Sequence, residues 1–397
     1  MNILVIDDEW PSEYSGKWVR IVNVFKRIRK DHQVHFLYIG EKPEKNTHLI
    51  KDCFASINAI DFSIDKGSFS GRLINLMLMK PGDYARWRYK DKLQAVQRQI
   101  RDILTGKKIE LMQVFSYYSA EYVSDFKRIP KIWDVADSLC LTLKRKIKLN
   151  KLGFGQKIYA RKLYNFEREM ISLFEKTIYV SEGDAAVHEG LKEKIVVLPN
   201  GVDLDYFKPM ETEEDCHSLI FTGHMSFNPN VQAVLYFRKE ILPLVRKAFQ
   251  EIKFYVVGAE PTKEILELNG KDGIIVTGFV DDVRPYLAKA TIFVSPMVNG
   301  SGIKNKILQA LAMGKPVVST TLGAEAIEYI KDKDFMIVDQ PVQFAQALVN
   351  LLKSKDKRDI LAKSGRMLVE KKYSWDNTVE RYLALYQEIK SYARFES

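Results

Sequence analysis

The chain has 397 residues, 46% of them hydrophobic and 28% charged. That balance excludes a disordered protein, and the length exceeds what one core organises, so two domains are expected. No apolar run approaches the roughly 18 residues of a spanning helix, and the opening MNILVIDDEW lacks the basic region and cleavage site of a secretory signal.

In chain order, residues 2–6, 34–39, 111–114, 131–134 and 177–180 are short apolar runs rich in β-branched residues. Residues 18–29 and 90–104 between them carry helical spacing. Strands alternating with helices predict a parallel sheet flanked by helices. After Pro199-Asn200-Gly201-Val202-Asp203 the chain turns polar and acidic through Glu211-Thr212-Glu213-Glu214-Asp215, which reads as a linker. The alternation then resumes, with strands at 219–222, 253–257, 274–277, 292–294, 316–319 and 335–338. Helices are expected at 230–249, 304–313, 342–354, 356–371 and, with Ser374 as N-cap, 375–392. The expected domains are 1–202, a linker 203–216, 217–374, and a last helix 375–397 able to cross back to the first domain.

The three cysteines, Cys53, Cys140 and Cys216, lie far apart, and the six histidines form no close pair. A reduced, intracellular chain without a metal is the expectation. The net charge of +10 is clustered at Lys144, Arg145, Lys146, Lys148, Lys151, Lys157, Arg161 and Lys162, and at Arg86-Trp87-Arg88-Tyr89-Lys90. Such patches suit anionic lipid surfaces, lipid diphosphates or nucleic acid, and equally a solvated helix face. No recognised nucleic-acid module surrounds them.

The segment Asn299-Gly300-Ser301-Gly302 follows an expected strand and opens an expected helix. Its glycines let a ligand approach the backbone, and helix-start N–H groups favour an anion, with Lys304 and Lys306 adding charge. Ser301, Asn305 and Gln309 recur every four residues on one polar face, opposite Ile303, Ile307, Leu308 and Leu311. That geometry suits a nucleoside diphosphate; the alternative is a glycine turn before an ordinary amphipathic helix. In the first half, Gly16 and Lys17 stand near one strand end. Asp134, Asp137 and Ser138 follow another, where a carboxylate could orient an acceptor hydroxyl or cap a helix.

Taken together these strings resemble the family 4 retaining glycosyltransferases of the GT-B fold. The resemblance rests on Ser181, Pro199-Asn200-Gly201-Val202-Asp203, Phe221-Thr222-Gly223, Val256-Val257-Gly258, Thr277-Gly278-Phe279-Val280 and Leu308-Gln309-Ala310-Leu311-Ala312-Met313-Gly314. Asp282-Val283-Arg284-Pro285-Tyr286-Leu287, Gly302-Ile303-Lys304-Asn305-Lys306 and Asn228-Pro229-Asn230 resemble a bacterial surface-polysaccharide subgroup. The first half matches more weakly, at Gly16-Lys17 with Arg20 and at Asp134 with Asp137-Ser138.

The resemblance implies an α/β fold of two doubly wound parallel-sheet domains facing a central cleft. It implies a donor site of Gly16, Lys17, Gly223, Gly258, Phe279, Val280, Arg284, Gly300, Ser301, Gly302, Ile303, Lys304, Asn305 and Gln309, with Asp134, Asp137 and Lys304 as catalytic candidates. Phe279 and Val280 could pack on the base or simply be core. Arg284 could reach a phosphate or pair with Asp281 or Asp282. Family members usually place two glutamates eight apart where Ser301 and Gln309 stand here. The implied reaction moves a sugar, with retention, from a nucleotide sugar to a lipid-linked or growing cell-surface polysaccharide. The leaving phosphate takes the acceptor proton, and lysines and helix N–H groups stand in for a metal. The expected location is the cytoplasm, peripheral on the inner membrane face.

Alternatives are a nucleotide-sugar epimerase of the same fold or a non-catalytic nucleotide-sugar-binding subunit, which Gln309 keeps open. The start Ile3-Leu4-Val5-Ile6-Asp7-Asp8-Glu9 is similar to a receiver domain. Asp61 and Asp65 lack the context that reading requires, so it is excluded.

Overall fold

The computed structural model describes residues 1–11, 16–40, 47–61, 90–148, 153–300 and 302–395. Asp65, the run at 86–89, Lys151 and Ser301 lie outside the described residues. Two compact units divide the chain: Met1–Pro199 with Thr378–Ser397, and Asn200–Asn377.

In the first unit, β1 (Asn2–Asp7), β2 (Gln33–Ile39), β3 (Ser56–Ile60), β4 (Leu111–Val114), β5 (Lys131–Ala136), β6 (Lys176–Tyr179) and β7 (Ile195–Val197) form one sheet in the order β3-β2-β1-β4-β5-β6-β7. Every pairing is parallel. β1 is buried from its second residue onward, as a strand covered on both faces must be. Helix α1 (Gly16–Ile28) turns Trp18, Ile21, Val24, Phe25 and Ile28 inward at three- and four-residue spacing. The unit also carries α2 (Lys90–Gly106), α3 (Tyr117–Val123), α4 (Leu139–Lys148) and α5 (Phe154–Leu173). The runs at β3 and β7 escape the sequence reading: β3 alternates weakly and β7 is three residues long.

The second unit holds β8 (Asp215–Thr222), β9 (Lys253–Val257), β10 (Ile274–Gly278), β11 (Ala290–Ser295), β12 (Val317–Ser319) and β13 (Met336–Ile337), ordered β10-β9-β8-β11-β12-β13 and again parallel. Its helices include α6 (Asn228–Tyr236), α7 (Arg284–Lys289), α8 (Asn305–Ala312), α9 (Pro341–Lys353) and α10 (Lys355–Lys372). The single helix expected over 230–249 is three pieces, because Pro243 lacks the N–H an unbroken helix needs. Phe237–Ile241 widens into a π turn ahead of it.

Both strand orders reverse beside the first strand of their unit, at β1/β4 and at β8/β11, where doubly wound sheets bind ligands at their carboxyl ends. The last helix, α11 (Trp375–Phe395), is capped by Ser374, whose hydroxyl accepts from Asn377 N at 3.0 Å. From Thr378 it belongs to the first unit. The expected linker at 203–216 is not where the units divide. Val202 donates its N–H to Tyr373 O at 2.7 Å, and Asp215 opens β8, bound to Lys253 at 2.9 Å and to Tyr255 at 2.5 Å.

Candidate functional site

The carboxyl ends of β8, β9 and β10 close on glycines. Gly223 N donates to Val257 O at 3.0 Å and Gly258 N to Gly278 O at 3.2 Å. A side chain on Gly258 would meet the Gly223 carbonyl at 1.8 Å; one on Gly223 would meet the Asn230 amide and the Lys306 ammonium, each at 2.7 Å. Gly223 and Gly258 are therefore required by the close packing of their own chain, whereas beside Gly278 the space is open.

Across the switch point, the chain leaving β11 turns at Gly300, with φ at 108°, and at Gly302, with φ at 71°. Gly300 N is tied to Asn299 Oδ1 at 2.8 Å, and a side chain there would make only ordinary contact with Pro229 of α6 at 3.5 Å, so its positive φ is what favours glycine. Helix α8 starts at Asn305 with Lys304 as its N-cap residue, and no side chain caps the first turn. Of the expected polar face, Asn305 and Gln309 stand on this helix, and Ser301 lies outside the described residues. Asn305 accepts from Asn200 at 3.2 Å, so the Asn of the NGVD string clips the helix start. Gln309 is half-buried, and Ile303 packs against the core.

The two lysines differ. Buried Lys304 gives its ammonium to Gly302 O at 2.7 Å. Lys306 donates to Asn230 Oδ1 at 2.6 Å and lies 4.0 Å from the centre of the Phe221 ring. Burial, reinforced by the charge of Lys304, holds its pKa well below the usual lysine range. The sequence reading counted Lys306 only as added charge and Asn230 only as part of a matching string. A contact across 76 residues has no local signature that would join them.

Past β10, Phe279 is 60% exposed and so is not core, whereas Val280 packs against the core. Arg284 takes the ion-pair alternative. Its guanidinium donates to both carboxylate oxygens of Asp282 at 2.7–3.0 Å and covers the Tyr206 ring at 3.7 Å. This commits it away from a phosphate.

In the first unit the expected acceptor carboxylate is corrected. Asp134 is fully buried, and its Oδ2 accepts from Arg20 at 3.3 Å, from Gln113 at 3.2 Å and from the Tyr382 hydroxyl of α11. Wrapped by its own chain, it cannot touch an acceptor. Asp137 is exposed, and the capping alternative falls to Ser138, whose hydroxyl accepts from Leu141 N at 3.2 Å. Gly16 opens α1. Lys17 is held by Asp7 and Glu9 at 2.8 Å each; burial opposes its charge, but these carboxylates raise its pKa. Sequence spacing also gave no sign that Cys140, Glu167 and His188 meet in this core, their ligand-type atoms within 4.8 Å of one another. Glu167 already accepts from Tyr117 at 2.5 Å and lies 2.6 Å from His188 Nε2.

The glycosyl transferases group 1 family matches residues 216–354, the span that carries every strand-end glycine above. An uncharacterised 44.6 kDa protein of the cps region of Klebsiella pneumoniae is 22% identical over 299 residues, covering 67% of this chain and 73% of that protein. A phosphatidyl-myo-inositol mannosyltransferase of Propionibacterium freudenreichii is 26% identical over 230 residues, covering 55% of this chain and 57% of that enzyme. Among solved structures, Anabaena HepE in complex with UDP-glucose superposes with a TM-score of 0.67 at 11% identity, covering 98% of this chain and 100% of that one. The two parallel-sheet domains are those of the GT-B fold, residues 216–354 match the glycosyl transferases group 1 family, and the chain is a glycosyltransferase.

Proposed function

We propose that the chain transfers a sugar, with retention, from a nucleoside diphosphate sugar to a lipid-linked or growing cell-surface polysaccharide. One observation carries this reading: the bare strand ends at Gly223, Gly258 and Gly278 lie in the same unit as the Gly300–Gly302 turn that opens α8. The uncapped N–H groups that start α8 suit a diphosphate, and Phe279, exposed just past β10, suits the base. The departing diphosphate is stabilised by these amides and by lysine charge, without a metal, and takes the acceptor proton as the new bond forms on the same face. The likeness to a cps-region protein and to an enzyme named for a phosphatidylinositol acceptor supports the acceptor class.

Membrane-face residence belongs to the same proposal. Lys144, Lys146 and Lys148 of α4 and Lys157 and Arg161 of α5 are exposed, and Phe154 between them is 81% exposed. Cations beside an exposed aromatic ring suit an anionic bilayer surface.

The test is turnover. Purified protein given a panel of nucleotide sugars should release nucleoside diphosphate, faster with a membrane extract than without, and should continue in excess EDTA. Binding without release under every condition would leave the non-catalytic subunit, the reading that Gln309 in place of a glutamate favours. Release that stops in EDTA would overturn the metal-free mechanism.

A further inference from the structure

We propose that Cys140, Glu167 and His188 of the first unit form a buried site for a zinc-class divalent cation, which clips α4 and the stretch after β6 to α5. Among the described residues they are the one group of three metal-ligand side chains that converges, with ligand atoms all within 4.8 Å of one another. Cys140 is the second residue of α4, Glu167 lies on α5, and His188 lies in the 3-10 stretch Ala186–Lys194. The backbone leaves helical geometry at His188, with φ at −118° and ψ at 51°. All three side chains are buried, Glu167 and His188 completely.

The donor set selects the ion. Sulfur, imidazole nitrogen and a carboxylate oxygen are ligands of zinc, whereas magnesium and calcium take oxygen. Zinc bonds of about 2.0–2.3 Å put tetrahedral ligand atoms roughly 3–4 Å apart, so these three need move little to share one ion. A thiolate, a carboxylate and a neutral imidazole around a divalent cation sum to zero charge, which a core holds at far lower cost than a lone carboxylate. As the sulfur–metal bond forms, the Cys140 proton leaves to water. His188 Nδ1 makes no hydrogen bond, so it can carry the ring proton while the Nε2 lone pair meets the ion.

The surroundings already orient these groups. Tyr117 donates to Glu167 Oε1 at 2.5 Å, which leaves Oε2 facing His188 Nε2 at 2.6 Å. The Ser138 and Tyr179 hydroxyls stand 3.4 and 3.5 Å from Oε2, close enough to supply a fourth oxygen. The His188 ring stacks on Tyr164 with centroids 5.1 Å apart and planes 20° apart. Outer contacts of this kind fix the ligands of protein metal sites. Because α4 follows β5 and the His188 stretch follows β6, its neighbour in the sheet, one ion would join the chain beyond two strand ends to α5.

Metal content and spectrum test this, in a Cys216→Ser background that removes the exposed cysteine. Protein expressed in cobalt-supplemented medium should carry one cobalt per chain, with the near-ultraviolet thiolate band and intense visible bands of tetrahedral cobalt. Cys140→Ala should lose ion and bands to background. His188→Gln, which keeps an amide to bond Glu167, should lose them too, and it carries the test if Cys140→Ala does not fold. The zinc-loaded parent should melt above its chelator-stripped form, whereas Cys140→Ala should melt alike with and without zinc. Cys140→Ala should still release nucleoside diphosphate in EDTA, which separates this ion from the transfer step. A parent without the thiolate band, or variants that keep it, would make the cluster a hydrogen-bonded core and nothing more. Neither metal readout involves a nucleotide, so their failure is distinct from failure of the donor-site reading.

Discussion

Asp7 ends β1 fully buried, with Lys17 bonded to its carboxylate at 2.8–2.9 Å and the N–H of Asp8 at 2.9 Å. Burial dominates and raises its pKa from 3.8 to about 7 despite the lysine. A folded pKa above the unfolded one means stability that is complete below about 4 and lost as pH rises through about 7. Asp7→Asn cannot titrate, so the wild-type-minus-variant unfolding free energy should fall between pH 4 and 8 by on the order of 4 kcal/mol. Urea melts across that range would show it, and a flat difference would contradict the assignment. At the other switch point, Gly258→Ala forces a methyl onto the Gly223 carbonyl at a φ of 148°. It should cost roughly 1–3 kcal/mol and weaken nucleotide binding, since β8 and β9 must part to admit it. On α8, Gln309→Glu should tighten nucleotide-sugar binding if the ribose lies on that face, because a carboxylate accepts two hydroxyls where an amide oxygen and its NH₂ cannot. Unchanged affinity would remove the ribose from that face.

Among the elements, α11 does most to join distant parts of one unit. Tyr382 and Tyr386 are buried against Asp134 and Gln113, Arg381 donates to Val197 O at 2.6 Å, and Lys390 reaches Glu110 at 2.8 Å. Tyr382→Phe leaves the buried Asp134 carboxylate one donor short and should destabilise the first unit by roughly 1.5–3 kcal/mol. Equilibrium unfolding measures this, and a loss under about 0.5 kcal/mol would show that the hydroxyl is not carrying the carboxylate. Most helices are readable from spacing: residues 18–29, 342–354 and 356–371 fall within two residues of α1, α9 and α10. The Pro243 break is also written in the chain, but the π turn before it is a response of packed neighbours and has no sequence code.

At the scale of the whole chain, the exposed cations of α4 and α5 set a prediction about surfaces. Flotation with anionic vesicles should be strong at low salt and fall steeply as ionic strength rises, and replacing Lys144, Lys146, Lys148 and Lys157 with glutamine should abolish it. Salt-insensitive flotation, or none, would remove the membrane from the proposal. The sequence by itself determined the two alternating α/β units, the strand-end glycines and the helix after Gly302, because period, β-branched runs and obligatory glycines are local properties of a chain. Only the tertiary structure decided which charges are available. Asp134 became the anchor of α11, Arg284 and Lys17 were paired with carboxylates, and Lys306 was left with an amide and a ring. The outcomes at Lys306 and Asp134 depend on residues meeting across 76 and 248 positions of sequence, and in all of them burial and the sign of a neighbour set a side chain's role.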